Sequence, residues 1–230
     1  MTASRTARER VRAELTREIT DIARRQLATE GAGGLSLRAV AREMGMVSSA
    51  VYRYFPSRDD LLTTLIIDGY DALGAAVEEA DAATPRDDYT GRWLAACHAV
   101  RDWAVAHPHE YALIYGSPVP GYQAPQDTIA ARVRDVTVLG RIVSDAWQAG
   151  AVRPPDGAPP AELAAEAAGF RELMPGVPDE VIWRSVTSWT ALYGWVSFEV
   201  FGQFNNSVRD RGAVFGHSMR VMARTIGLVQ

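Results

Sequence analysis

Lysine is missing from this chain: all 24 basic residues are arginine, which with the abundance of alanine points to a GC-rich coding source. Cysteine is almost missing too, and a single Cys97 excludes any internal disulfide. It lies in an apolar helical stretch and reads as a small core residue. No apolar run approaches the ~18 residues that a membrane span needs. The first thirty residues are rich in Arg and Glu and lack the apolar segment of a secretion signal. A cytoplasmic protein is therefore expected, with no membrane partner. Histidines are scarce: His98, His107, His109 and His217. None belongs to an H-E-x-x-H motif and none follows a Glu by three residues, so zinc-protease and carboxylate-bridged di-iron chemistry lack their ligands. G-x-S-x-G, P-loop and dinucleotide-binding glycine patterns are absent as well. The expectation is a non-enzyme with no metal and no cofactor.

What is present is helical period throughout, without convincing strand alternation. A first helix is expected from about Ala7 to Glu30, with Val11, Leu15, Ile19, Ile22, Ala23 and Leu27 on one face, stopped by Gly31, Gly33 and Gly34. Two short helices follow, then a long one from Arg58 to about Asp81. Further helices are expected at 87–107, 109–115, 127–149, 161–173, 179–204 and 211–226, separated by Pro108, the loop GSPVPGYQAP and the proline-rich stretch 153–160. The fold class is all-α: a three-helix head at 1–57 and a larger helical body at 58–230.

Residues 35–62, LSLRAVAREMGMVSSAVYRYFPSRDDLL, carry the clearest functional signal. Ser36 is placed to cap a helix whose Leu37, Val40, Ala41 and Met44 face inward. Gly45 supplies the positive φ of a helix end, and Met46 with Val47 plugs the turn. The second helix, opening at Val47 or Ser48, turns Ala50, Val51 and Phe55 inward. Ser48, Ser49, Tyr52, Arg53 and Tyr54 are left outside or at the rim. Pro56 ends it, and Ser57 caps the next helix with Asp59 and Asp60 in its first turn. That is a helix-turn-helix reader of DNA. Small serines let the first turn approach the major groove, Arg53 can reach guanine or phosphate, and tyrosine hydroxyls suit phosphate oxygens. Ser36, Arg38, Ser48, Ser49, Tyr52, Arg53, Tyr54 and Arg58 are the expected DNA contacts.

Charge agrees with this division. Net charge is −4, but residues 1–55 hold 10 Arg against 6 acids (+4) and the remainder 14 Arg against 22 acids (−8). A basic head on an acidic body is expected where only the head meets phosphate.

The head resembles the N-terminal domain of the tetracycline-repressor (TetR) family, on Ser48, Ser49, Tyr52, Arg53, Tyr54, Phe55, Ser57, Arg58, Asp59 and Asp60. Many relatives carry Lys or Gly at Ser48 or Ser49, and His at Tyr54, which alters the bases read. In the body, HPHEYALIYGSPVPGY and WTALYGWVSFEVFG resemble the C-terminal domain named for a Trp-His-Gly pattern. Trp189 and Gly194 fit it, and Tyr193 stands where His is usual. The resemblance implies a homodimer paired through the last two long helices and an effector site between the others.

The body's aromatics are dense for a bundle otherwise filled with Ala and Val, which leaves room for a ring-lined cavity. Trp93, His98, Trp103, Tyr111, Tyr115, Trp147, Phe170, Trp189 and Tyr193 are the expected lining of a small-molecule site. The helix 179–204 is apolar nearly all round at its end, so a second subunit should cover part of it. Trp195, Phe198, Val200, Phe201, Met219 and Met222 are the expected dimer contacts. The functional expectation is a repressor bound to a near-palindromic double-stranded operator, nucleoid-associated while bound, and released by a small, mainly apolar effector. The alternative is a small-molecule-binding or activator protein on the same fold, without operator repression.

Overall fold

Local capping chemistry sets most of the helix boundaries. The computed structural model describes residues 2–229, and these form eleven α-helices and one 3-10 turn; the extended pairing among them is an isolated bridge between Val152 and Leu228. The chain divides into two compact units: Met1–Tyr70 with His107–Ile129, and Asp71–Ala106 with Ala130–Gln230.

In the first unit, α1 (Thr2–Gly34) buries Ile19, Ile22, Ala23 and Leu27. Gly31, at φ 68°, breaks its regular geometry where the stop was expected. Val11, expected on the inward face, is instead 53% exposed, because residues 7–14 are all exposed and no helix covers them. α2 (Leu37–Glu43) begins at Ser36, whose hydroxyl accepts the Ala39 N–H at 3.4 Å. It ends before Gly45, whose φ of 66° only glycine adopts without strain. α3 (Ser48–Val51) is shorter than the expected run to Phe55. Pro56 disfavours helical backbone at Phe55. The chain tightens instead, Arg53 N–H bonding Ala50 O at 3.3 Å and Tyr54 N–H bonding Val51 O at 2.9 Å. Phe55 is buried and locks this turn.

α4 (Arg58–Ala82) starts at Ser57, which accepts the Asp60 N–H (3.1 Å) and donates to its carboxylate (2.7 Å). Its first half belongs to the first unit and its second half to the other. α6 (Pro108–Tyr115) packs on α1. Arg24 of α1 is paired with Asp68 of α4 (2.7 Å) and Glu110 of α6 (3.3 Å), which ties the three helices together.

In the second unit, α5 (Tyr89–Ala106) is packed by α8 (Arg134–Gln148), α10 (Asp179–Val200) and α11 (Arg211–Ile226), and α10 packs on α11. Asp88 caps α5 through the Gly91 N–H at 2.7 Å. Arg101 of α5 forks onto Glu199 of α10 at 2.8 and 2.6 Å.

Two expected helices are divided. The 127–149 segment becomes α7 (Thr128–Arg132) and α8, broken at Val133. The restart at Arg134 is fixed by ion pairs to Asp71 (2.6 Å) and Glu78 (2.7 Å) of α4. The 161–173 segment is a 3-10 turn at Ala161–Leu163 and a short α9 (Ala168–Leu173). Five of residues 161–166 are exposed, so this alanine-rich stretch has no buried face to hold a longer helix. Cys97 is buried, and burial pushes its thiol pKa well up.

Candidate nucleic-acid interface and ligand cavity

The turn between α2 and α3 displays a compact polar and aromatic face. Arg38, Ser49, Tyr52 and Arg53 are exposed, and Ser36, Ser48 and Tyr54 are half-buried. Val51 at 0% and Phe55 at 5% exposure sit beneath them, so the display rests on a packed core rather than a loose loop. The guanidinium of Arg12 lies 5.3 Å from the ring centre of Tyr54, a cation–π contact that limits that ring's freedom.

Two expectations change here. Arg58 does not present itself outward: its guanidinium donates to Ala32 O at 2.6 Å and Leu35 O at 3.2 Å, so it ties the α1–α2 connection to the start of α4. Val47 does not plug the turn. It caps α3 with its side chain 72% exposed, an apolar spot beside Ser48 and Ser49. The sequence signal for Val47 was its place immediately before two serines at the helix start. An apolar side chain there suits the methyl group of thymine.

The second unit holds a small, largely apolar cavity of ≈ 70 Å³ that is partly open to solvent. Val136, Leu139, Gly140 and Val143 of α8 form one wall. Phe170, Leu173 and Met174 at α9 form another, and Ser185, Val186 and Trp189 of α10 with Trp93 of α5 complete it. Gly140 permits the close approach of α8 to α9, since a Cβ there would sit 2.9 Å from Leu173 O.

Of the nine expected lining residues, Trp93, Phe170 and Trp189 meet at this cavity and six do not. Tyr111 and Tyr115 belong to the first unit, their rings 5.2 Å apart. Tyr193 is buried and donates its hydroxyl to Asp135. His98 packs edge-on to Phe215 at 5.2 Å, and its imidazole pKa is lowered, chiefly by burial. Trp103 is buried in α5, and Trp147 is half-buried near the end of α8. Half of the lining residues that sequence reasoning missed form the α8 wall. Their spacing at i, i+3, i+4 and i+7 marks one apolar helix face that carries no aromatic residue.

Among the expected dimer contacts, Phe198 is 54% and Phe201 44% exposed, while Trp195, Val200 and Met222 are half-buried. Met219 is not available to a partner: it is 1% exposed within its own chain, and its carbonyl accepts the Trp93 indole N–H at 3.1 Å. Among the described residues, no cluster of three or more His, Cys, Asp or Glu could hold a metal ion. No helix among them is long and apolar enough to cross a membrane.

A capped two-helix turn with an outward polar face, joined to an all-helical body, defines a helix-turn-helix transcription regulator. The comparisons make the family specific. Residues 19–65 match the family described as "Bacterial regulatory proteins, tetR family", and residues 93–222 match "Tetracyclin repressor-like, C-terminal domain". The chain is 40% identical over 226 residues to the HTH-type transcriptional regulator Rv1816 of Mycobacterium tuberculosis, covering 96% of this chain and 94% of that one. The regulator Mb1846 of Mycobacterium bovis shows the same identity and coverage. The crystal structure of the regulatory protein SCO4313 superposes with a TM-score of 0.77 at 34% identity, covering 93% of this chain and 97% of that one. The chain belongs to the TetR family of transcriptional regulators.

Proposed function

We propose that this regulator is a homodimeric repressor that binds a near-palindromic operator and is released by a small, mainly apolar effector. The observation that carries the DNA half is the exposed face of Arg38, Val47, Ser49, Tyr52 and Arg53 on the helix-turn-helix. Ser36, Ser48 and Tyr54 stand at its rim. Two such faces in a dimer would meet successive major grooves about 34–36 Å apart. Arg58 acts indirectly, by holding the reader against the start of α4.

The effector half is supported by the apolar cavity. A ligand that prefers a body conformation in which the two readers are wrongly spaced shifts the protein away from DNA, and only by its affinity difference between the two states. α4 is the element for this shift, because one unbroken helix contributes to both units.

Gel-shift titration against duplex DNA from upstream of the protein's own gene, with a scrambled competitor and increasing salt, tests the reading. Selective binding that weakens with salt is expected, because each neutralised phosphate releases counterions. Equal binding to the scrambled duplex, followed by a random-duplex selection that enriches no site, would overturn it.

The dimer has its own test. The outward positions of α10, Thr187, Thr190, Gly194 and Phe198, continue to Phe201 beyond its end, are all uncharged, and include two exposed phenylalanines. Phe198→Asp is expected to convert the dimer to a monomer in sedimentation without lowering helicity, since an unpaired charge in an apolar interface costs several kcal/mol. An unchanged dimer would place the interface elsewhere.

A further inference from the structure

We infer that the cavity between α8, α9, α10 and α5 takes a flat, uncharged aromatic compound with at most one hydrogen-bond acceptor. This rests on the proposed reading of the cavity as the effector site, and it names the chemistry that the site accepts. No charged residue lines it. A carboxylate, sulfonate, phosphate or ammonium group set against this wall would meet no counter-charge and would give up much of its hydration, a state that ligands avoid.

The donors on its wall are also nearly all spent. The Trp93 indole donates to Met219 O at 3.1 Å, and the Ser185 hydroxyl donates to Val181 O at 2.7 Å. Only the Trp189 indole N–H, which is buried and has no acceptor in the protein, is left among the wall's side-chain donors. A ligand with several polar atoms would therefore leave most of them unsatisfied. The rings of Trp93, Phe170 and Trp189 with the thioether of Met174 supply flat, polarisable surfaces, which favour an aromatic occupant by stacking, edge-to-face and sulfur–ring contacts.

The test uses the full-length protein and a fluorescent neutral probe, N-phenyl-1-naphthylamine. Two competitors of nearly identical shape displace it: 2-acetylnaphthalene, a neutral ketone, and 2-naphthoate, the corresponding carboxylate. The ketone is expected to compete at a concentration lower by about 10-fold or more, since only the carboxylate carries a charge into the apolar site. Val136→Trp and Val186→Trp, both at half-buried positions on the wall, are expected to abolish probe binding while the thermal melt stays cooperative. Two plugs are used so that one poorly folded variant does not decide the matter.

Equal competition by naphthoate overturns the ligand class and leaves the effector-site reading standing. Probe binding that survives both plugs overturns the placement. A wild-type protein that neither binds the probe nor gains thermal stability from either competitor overturns the ligand class and the effector-site reading together, whatever the operator experiment gives.

Discussion

Tyr52→Ala and Arg53→Ala are each expected to weaken operator binding by roughly 10- to 100-fold, the effect of losing a contact worth about 1–3 kcal/mol. Both side chains are exposed, while Val51 and Phe55 form the buried packing beneath α3. Helix content, thermal midpoint and sedimentation should therefore match the parent. The two variants separate modes of contact. If Arg53 meets a phosphate, its loss reduces the salt slope by about one and weakens all duplexes alike; if it meets a guanine, selectivity at one base position relaxes while the slope holds. Val47→Asp belongs in the same series and, on the proposed docking, should be at least as damaging as either, because it would turn a carboxylate toward the DNA polyanion where an apolar side chain now stands. Val47→Ala should be milder and confined to operators carrying thymine at the facing position. If all three positions tolerate Ala without loss, the outward face of α3 does not read the DNA.

The head was legible in the sequence because its determinants are local. Ser36, Gly45 and Ser57 each act within four residues of where they stand, and each is found in the expected role. α11, from Arg211 to Ile226, was equally plain, since Asp210 caps its start and Gly227 closes its end. Expectation failed where the determinant lies far along the chain. The commitment of Arg58 to carbonyls 23 and 26 residues earlier is a tertiary event that no local pattern carries. The cavity failed for a related reason. Aromatic content is a poor marker of this pocket, because Tyr111 and Tyr115 are spent in the first unit and Tyr193 on Asp135. Much of the wall comes from valine, leucine and glycine on one face of α8, which reads as ordinary core until it is known that nothing fills the space before it.

The largest stability effect should come from Arg92→Met. Arg92 is 1% exposed; its Nε meets Asp81 of α4 at 2.8 Å and its Nη1 meets Asp145 of α8 at 2.9 Å. Methionine keeps much of the volume and removes the charge, leaving Asp81, itself 3% exposed, with Arg86 as its remaining ion-pair partner. Removing one member of a buried ion pair costs about 3–5 kcal/mol, a large part of the ~5–15 kcal/mol that holds a domain together. Replacing both Arg92 and Asp81 by apolar residues should recover much of the loss, because the penalty is that of a stranded charge.

The pH dependence follows from the same site. Burial alone would raise the Asp81 carboxyl, but hydrogen bonds from Arg92 and Arg86 outweigh it and hold the pKa below its ordinary value. The stabilisation is therefore present above the unfolded carboxyl value of about 3.9 and is lost as pH falls through the lower folded value. Without Arg92, burial counts for more and the protonated carboxyl is tolerated, so the gap between parent and variant should narrow below about pH 4. Denaturant melts at neutral and acidic pH measure both effects, and a variant within about 1 kcal/mol of the parent at neutral pH would contradict the assignment of a stranded buried charge. The consequence reaches the ligand site. Trp93, the next residue, lines the cavity and is anchored to α11 through Met219 O. Loosening the start of α5 should therefore weaken N-phenyl-1-naphthylamine binding even at temperatures where Arg92→Met remains folded.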